Sequence, residues 1–308
     1  MTGAEEPTVA AGIVCFHPEP GQLLDLVDAL SRDTGRIYLF NNAPLDPALD
    51  RVLGDYAAVV AIDAGSNLGV GVGLNFIALA ASRDGFERLI LFDQDSRAWP
   101  GMVGRLGAAF DRLAALRRNP AAVGPRLVAS PGGISGAAGG SKAPRYRVRR
   151  GVESDGATIP VDFLPTSGTL FNLRVLRETG MFRADLFIDG IDLEWCFRAW
   201  RRGFSCWLAG DVPMEHTVGT GSIPLGFGLT MPNQKPFRMY SYLRNTLYGL
   251  RLGHVPLGWK ARQLAYLPLQ MFGFARHHGF SGHAVRPMLA GIRDGLLGRL
   301  GVPPGAED

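Results

Sequence analysis

"LILFDQDSRAWPGM", from Leu89 to Met102, decides the fold. Its first four residues are large and apolar with no alternation, the pattern of a strand buried on both faces. It then closes on Asp93, Gln94, Asp95 and Ser96, so two carboxylates one residue apart follow a strand that has no contact with water. Strand alternation would turn Asp93 and Asp95 to the same side. Adjacent carboxylates repel unless a cation lies between them, and oxygen donors suit Mg2+ or Mn2+.

Working outward, "TVAAGIVCF", "RIYLFNN" and "AAVVAID" are further strand-like runs, separated by helical patterns such as "GQLLDLVDALSRD" and "PGMVGRLGAAFDRLAALRRN". Strands alternating with helices of this length predict an α/β fold: a Rossmann-like, mostly parallel sheet flanked by helices. Ligands bind such sheets at the carboxyl ends of the strands, where Asn41, Asp63 and Asp93 all fall.

The chain has 308 residues, 46% hydrophobic and 19% charged, enough for a sizeable core, and a formal net charge of +4. That excess is too mild to indicate nucleic acid as a partner but suits an anionic ligand or a membrane surface. Three cysteines (Cys15, Cys196, Cys206) without CxxC spacing predict free thiols, no disulfide framework and a cytoplasmic setting. The acidic start "MTGAEEPTVAAG" does not read as a signal peptide. Nineteen uncharged residues separate Asp63 from Arg83, but their glycines and asparagines make a poor lipid-facing helix. The expectation is a soluble protein or one held peripherally on the inner face of the cell membrane.

Four further stretches carry chemistry. "AIDAGSNLGVGVGLN" is strand, Gly-rich turn and helix, yet it does not match GxGxxG: counted from Gly69 the last position is Leu74, and from Gly71 it is Phe76. Its glycines serve either close approach of a nucleotide, with Asp63 and Asn67 as polar contacts, or packing alone. "FIDGIDLEWCFRAWRRG" sets Asp189, Asp192 and Glu194 within six residues at a helix start. One acid there can be an N-cap, and Glu194 can pair with Arg198 at i, i+4. A carboxylate so placed can take a proton from an attacking hydroxyl. "VPMEHTVG" offers His216 as a third metal ligand or as an ordinary surface histidine. Lys142, Arg145, Arg147, Arg149 and Arg150 follow a Gly/Ser/Ala loop (Ala129 to Pro144) and form either a solvated strand edge or a cover for a phosphate. Beyond about residue 220, "PFRMYSYLRNTLYGLRL" and "WKARQLAYLPLQMFGFARHHG" are helical, with aromatics beside arginines that could pack inward or lie on a membrane interface.

Taken in order, "FDQDS", "SGTLFN", "ETGMFRADLFIDGIDLEWCFRAWRRGF", "MEHTVG" and "YSYLRN" resemble an inverting family 2 glycosyltransferase of the GT-A fold, most similar to its bacterial rhamnosyltransferase branch, over roughly residues 8 to 250. The resemblance implies a glycosyltransferase domain over 1–220, with a nucleotide-sugar half at about 8–128 and an acceptor half at about 150–220. A helical region would follow at 221–308. It further implies Asp95 as principal metal ligand completed by His216, Asp93 at the nucleotide or metal, and Asp192 as catalytic base. Glu194 would hold the acceptor or orient the base. Asn41, Asp63 and Asn67 would contact the nucleoside, and Arg244 with Asn245 would form the family's "RN" pair, with Arg244 contacting the nucleotide. The implied cofactor is a divalent cation, the donor a dTDP-sugar such as dTDP-rhamnose, and the acceptor a lipid-linked or cell-envelope glycan. The family usually shows Asp-Asn where this chain has Asn41-Asn42. Two other readings stay open: a nucleotidyltransferase, which would need a Gly-rich basic turn where this chain has "CFHPEPGQ", and a non-catalytic nucleotide-sugar-binding protein of a polysaccharide assembly pathway.

Overall fold

The computed structural model describes residues 9–128, 147–215, 221–226 and 229–306. The elements run β1 (Val9–Cys15), α1 (Pro20–Ser31), β2 (Arg36–Asn41), α2 (Pro47–Gly54), β3 (Val59–Asp63), α3 (Val70–Arg83), β4 (Arg88–Asp93), α4 (Met102–Ala115) and β5 (Pro120–Val128). After them come β6 (Thr158–Pro160), β7 (Thr169–Asn172), α5 (Leu173–Thr179), α6 (Ile191–Arg201) and β8 (Ser205–Glu215). The last are β9 (Ser222–Gly226), β10 (Leu229–Pro232), α7 (Pro236–Gly249), α8 (Leu257–His277) and α9 (Gly282–Leu297).

Eight strands form one sheet in the order β3-β2-β1-β4-β7-β5-β8-β6. The first four are parallel, as the alternation with helices requires, and β5 and β8 are parallel to each other. β7 enters between β4 and β5 antiparallel to both, and β6 lies antiparallel on the far edge. The strands are apolar on both faces because both faces are covered. Val9, Ala11, Ile13 and Cys15 of β1 pack with α1 and α4, while Ala10 turns to the side of α3 and α6. The three cysteines are free and buried, as expected.

Beyond the sheet, the β9–β10 hairpin and α7 to α9 build a core of their own around Met239, Leu243, Leu267, Phe274 and Met288. α9 lies tightly on α7: a Cβ on Gly291 would stand 2.5 Å from the Tyr240 carbonyl oxygen, and one on Gly295 2.6 Å from that of Arg244. The small-residue pair four apart lets the two backbones touch, which fixes α7 where its residues can reach the sheet. Among the described residues, no helix is long and apolar enough to cross a membrane.

Candidate active site

Parallel register brings the polar strand ends together. Cys15 is opposite Asn41, Asn41 opposite Asp63, and Val14 opposite Asp93. Asn41 is 2% exposed and donates from Nδ2 to Asp63 Oδ1 at 2.8 Å. That bond fixes which way the amide faces. Its Oδ1 is then buried with no hydrogen-bond partner among the described residues.

The next asparagines brace the Gly-rich turn. Asn42 Oδ1 accepts from Leu68 N at 2.9 Å and its Nδ2 donates to Gly69 O. Asn67 Oδ1 accepts from Gly69 N at 3.1 Å, and its Nδ2 donates to Ala306 O at 2.8 Å. Both groups of Asn67, expected at the nucleoside, are thus engaged by backbone. The glycines answer to packing: a Cβ at Gly69 (φ +85°) would meet the Phe187 ring at 2.5 Å, and one at Gly71 the Ala184 backbone at 2.8 Å. The turn is the seat of the loop that carries Asp189.

At the end of β4 the two residues between and after the acids do the bonding. Gln94 holds the Phe16 backbone at both groups, accepting from N at 2.6 Å and donating to O at 3.0 Å. Ser96 N donates to Asp93 O, and the hydroxyls of Ser96 and Ser167 lie 2.6 Å apart. Asp93 and Asp95 are themselves exposed residues. Strand alternation, however, does not align them: β4 ends at Asp93, and Asp95 lies in the turn beyond it. Their hard oxygen donors suit a divalent cation in kind. No group of three potential ligands stands together among the described residues, and the third ligand expected, His216, lies outside those residues. Lys142 and Arg145 lie outside them as well. Arg147 and Arg149 are bound to Asp162 at 3.1 and 3.0 Å, a structural ion pair rather than a phosphate cover.

The loop before α6 has an unusual backbone. Phe187, Asp189 and Gly190 all have positive φ, at 65°, 63° and 82°. For the two non-glycines this costs about 1–3 kcal/mol each, so neighbours must enforce it. Asn245 Nδ2 donates to the carbonyls of Leu186, Ile188 and Asp189 at 3.0, 2.6 and 2.9 Å. Arg244 donates to Leu186 O at 2.9 Å and Gly301 O at 2.7 Å, and to Asn245 Oδ1 at 3.0 Å. At 1% exposure, with its donors committed, Arg244 clamps this loop; the resemblance had implied nucleotide contact. Gly190, not Asp189, is the N-cap of α6, so capping does not account for Asp189. Asp189 instead accepts from Arg238 at 2.5 Å, and its Oδ2 is buried without a hydrogen-bond partner among the described residues.

Asp192 lies half-buried in the first turn of α6, its Oδ1 accepting from Leu193 N at 2.7 Å. Burial pushes its carboxyl up to about 6, and the charges of Asp93 and Asp189 push the same way against the Leu193 amide. Those interactions show that the end of β4 and the start of α6 share one electrostatic site. A base poised there is neutralised or charged by small changes near neutral pH. Glu194 is different. Burial alone would raise its carboxyl, but His254 and Arg198 reverse that and hold it below its ordinary value. Arg198 binds both its oxygens, at 2.9 and 3.1 Å, and also the carbonyls of Thr179, Gly180 and Met181. His254 Nε2 stands 2.8 Å from Oε1, at ion-pair distance but out of line for a hydrogen bond.

Asp189, Asp192 and Glu194 form one wall of a cavity of about 760 Å³, and Tyr242, Trp259 and Tyr266 of α7 and α8 form another. It is wide enough for a sugar or two and carries both aromatic and acidic side chains in its lining. Sequence reasoning missed Arg238, His254 and the α8 wall; the only signal was the run of aromatics among the arginines of the last helices.

No family model matches the chain. Its sequence is 27% identical over 258 residues, 84% of this chain and 85% of the other, to the dTDP-rhamnosyl transferase RfbF of Shigella flexneri. In structure it is similar to S. aureus TarS 1–349 in complex with UDP-GlcNAc, with a TM-score of 0.57 at 13% identity over 93% of this chain and 80% of that one. It is also similar to GalNAc-T7 with UDP, GalNAc and Mn2+, with a TM-score of 0.57 at 14% identity over 85% of this chain, which spans only 55% of that longer protein. The GT-A fold expected from the motifs is borne out, and so is the resemblance to a rhamnosyltransferase-like family 2 glycosyltransferase.

Proposed function

We propose that this chain is an inverting, metal-dependent glycosyltransferase that moves rhamnose from dTDP-rhamnose to a hydroxyl of a lipid-linked or cell-envelope glycan. The observation that carries the reading is Asp192: a carboxylate on the cavity wall, raised to about 6, electrostatically in touch with the acids that end β4. The 27% identity to a dTDP-rhamnosyl transferase supports the donor, and the Mn2+ in a structural neighbour supports the metal.

In this reading the nucleoside lies along the strand ends, with Asn41 Oδ1 accepting one N–H from the base, the partner it lacks among the described residues. The acceptor enters the cavity, with a sugar face against Tyr266. Leu193 N holds Asp192 Oδ1, leaving Oδ2 to receive the proton of the acceptor hydroxyl as that oxygen attacks the anomeric carbon. Donor on the strand ends and acceptor in the cavity approach from opposite sides, which gives a single displacement and inversion. Asp95, Asp93 and His216 would hold the divalent ion, which when bound supplies positive charge against the departing diphosphate. Glu194, fixed by Arg198 and His254, orients the first turn of α6 and with it Asp192.

The test is release of dTDP from dTDP-rhamnose in the presence of Mn2+. Turnover that a chelator and Asp95→Ala both abolish is the expected result. Turnover indifferent to both would remove the metal from the reading, and no turnover with any nucleotide-sugar would remove the reaction.

A further inference from the structure

Helix α8 has two opposed faces. Trp259, Gln263, Tyr266 and Gln270 recur at i, i+4, i+7 and i+11 and line the cavity. At about 100° per residue, the face directly opposite holds Leu257, Ala261, Leu264, Ala265, Pro268 and Phe272. All six are exposed, Leu257 at 81%, Leu264 at 52% and Phe272 at 58%, and none carries charge. The Phe280 ring, in the turn before α9, is 59% exposed and lies 6.0 Å from that of Phe272, extending the stripe. A monomer rarely leaves so long an apolar face in water without a use for it.

The surrounding charge says what covers it. Residues 236–308 hold nine Lys or Arg against Asp294, Glu307 and Asp308, a net of +6 in a chain whose total is +4; of the nine, Arg244 is buried and Arg238 faces Asp189. Arg276 borders the α8 stripe, and on α9 Arg286 and Arg293 share an outward face with Leu289 and Leu296. A second copy would bring two such basic regions together, at a repulsive cost. An anionic lipid surface complements both the charge and the apolar stripe, with arginines reaching the headgroups and Leu and Phe below them.

We infer that the outward face of α8, with Phe280, seats the protein on an anionic bilayer, and that the acceptor is a glycan on an apolar carrier resident in that bilayer. The surface stands on exposure and charge alone. The acceptor class rests on the proposed function, because the other side of the same helix lines the cavity that Asp192 also lines. No helix among the described residues spans, so the attachment is interfacial.

Co-sedimentation of the full chain with vesicles tests it. Vesicles of phosphatidylcholine and phosphatidylglycerol in equal parts should bind the chain at least about tenfold better than phosphatidylcholine alone. The double variant Leu264→Asp, Phe272→Asp should lose at least about tenfold in partitioning, and Arg276→Glu about fivefold or more. None of these residues lines the cavity, so dTDP-rhamnose turnover and thermal unfolding should match the parent. Equal partitioning onto neutral and anionic vesicles, or unchanged binding by the variants, would overturn the seat. So would a dimer in sedimentation velocity that the double variant dissociates. Vesicle binding without donor turnover by the parent chain would uphold the surface and contradict the proposed function.

Discussion

Asn41 donates to Asp63 at 2.8 Å, and that single bond turns the other end of its amide into a buried acceptor without a hydrogen-bond partner among the described residues. An unpaired buried acceptor costs about 1–3 kcal/mol unless a ligand satisfies it. Asn41→Leu should therefore leave stability within about 1 kcal/mol of the parent while weakening dTDP binding by about tenfold or more. Titration calorimetry with dTDP checks the affinity, and thermal unfolding checks the stability. Unchanged affinity would take Asn41 out of base recognition.

Asp192 couples activity to pH. Only its charged form can accept a proton, so transfer should rise with pH through about 6. The stability effect has the opposite sign. Because the folded pKa lies above the unfolded one, the folded state binds the extra proton between them, and stability falls as pH rises from about 4 to 6. Asp192→Asn removes that cost, so above pH 6 it should be more stable than the parent by about 1–3 kcal/mol while inactive. Thermal unfolding at acid and neutral pH reads the difference.

Much of this was legible in the amino-acid pattern, and the reasons are local. Unbroken apolar runs identify strands buried on both faces, and the polar residues that end them mark the cleft. Less legible was anything that depends on contacts distant in the chain. Gly69 and Gly71 read equally well as a nucleotide turn; only the Phe187 ring and the Ala184 backbone, more than a hundred residues away, show that they make room for protein. Arg244 shares its position with the family's pair, but its burial under the 186–189 loop becomes visible only when α7 is docked. Asp95 looked like a strand residue because alternation carries no signal of where the strand ends.

The clamp on that loop should be separable from the chemistry. Asn245→Ala deletes the donor to three carbonyls and leaves only Arg244 and Arg238 to hold the loop in which Asp189 keeps a positive φ. Stability should fall by about 2–4 kcal/mol, and kcat should fall more than donor affinity. Unfolding and steady-state kinetics together check it. Donor affinity falling as much as kcat would place Asn245 at the nucleotide instead.

Glu194→Gln tests a buried anchor. The substitution keeps the shape and removes the charge that Arg198 and His254 face at 2.9 and 2.8 Å. Leaving the Arg198 guanidinium unbalanced in a buried site should cost about 3–5 kcal/mol. Transfer by the folded fraction should fall modestly and keep its pH limb near 6, since Asp192 remains. Total loss of transfer in a folded protein would show that Glu194 itself handles the proton.

The most direct measurement compares Asp192→Asn with the parent in transfer from dTDP-rhamnose and in dTDP affinity on the same preparations. We expect transfer to fall by about a hundredfold to ten-thousandfold, with affinity within about twofold of the parent. Transfer that survives the substitution, or affinity lost in step with it, would contradict Asp192 as the base.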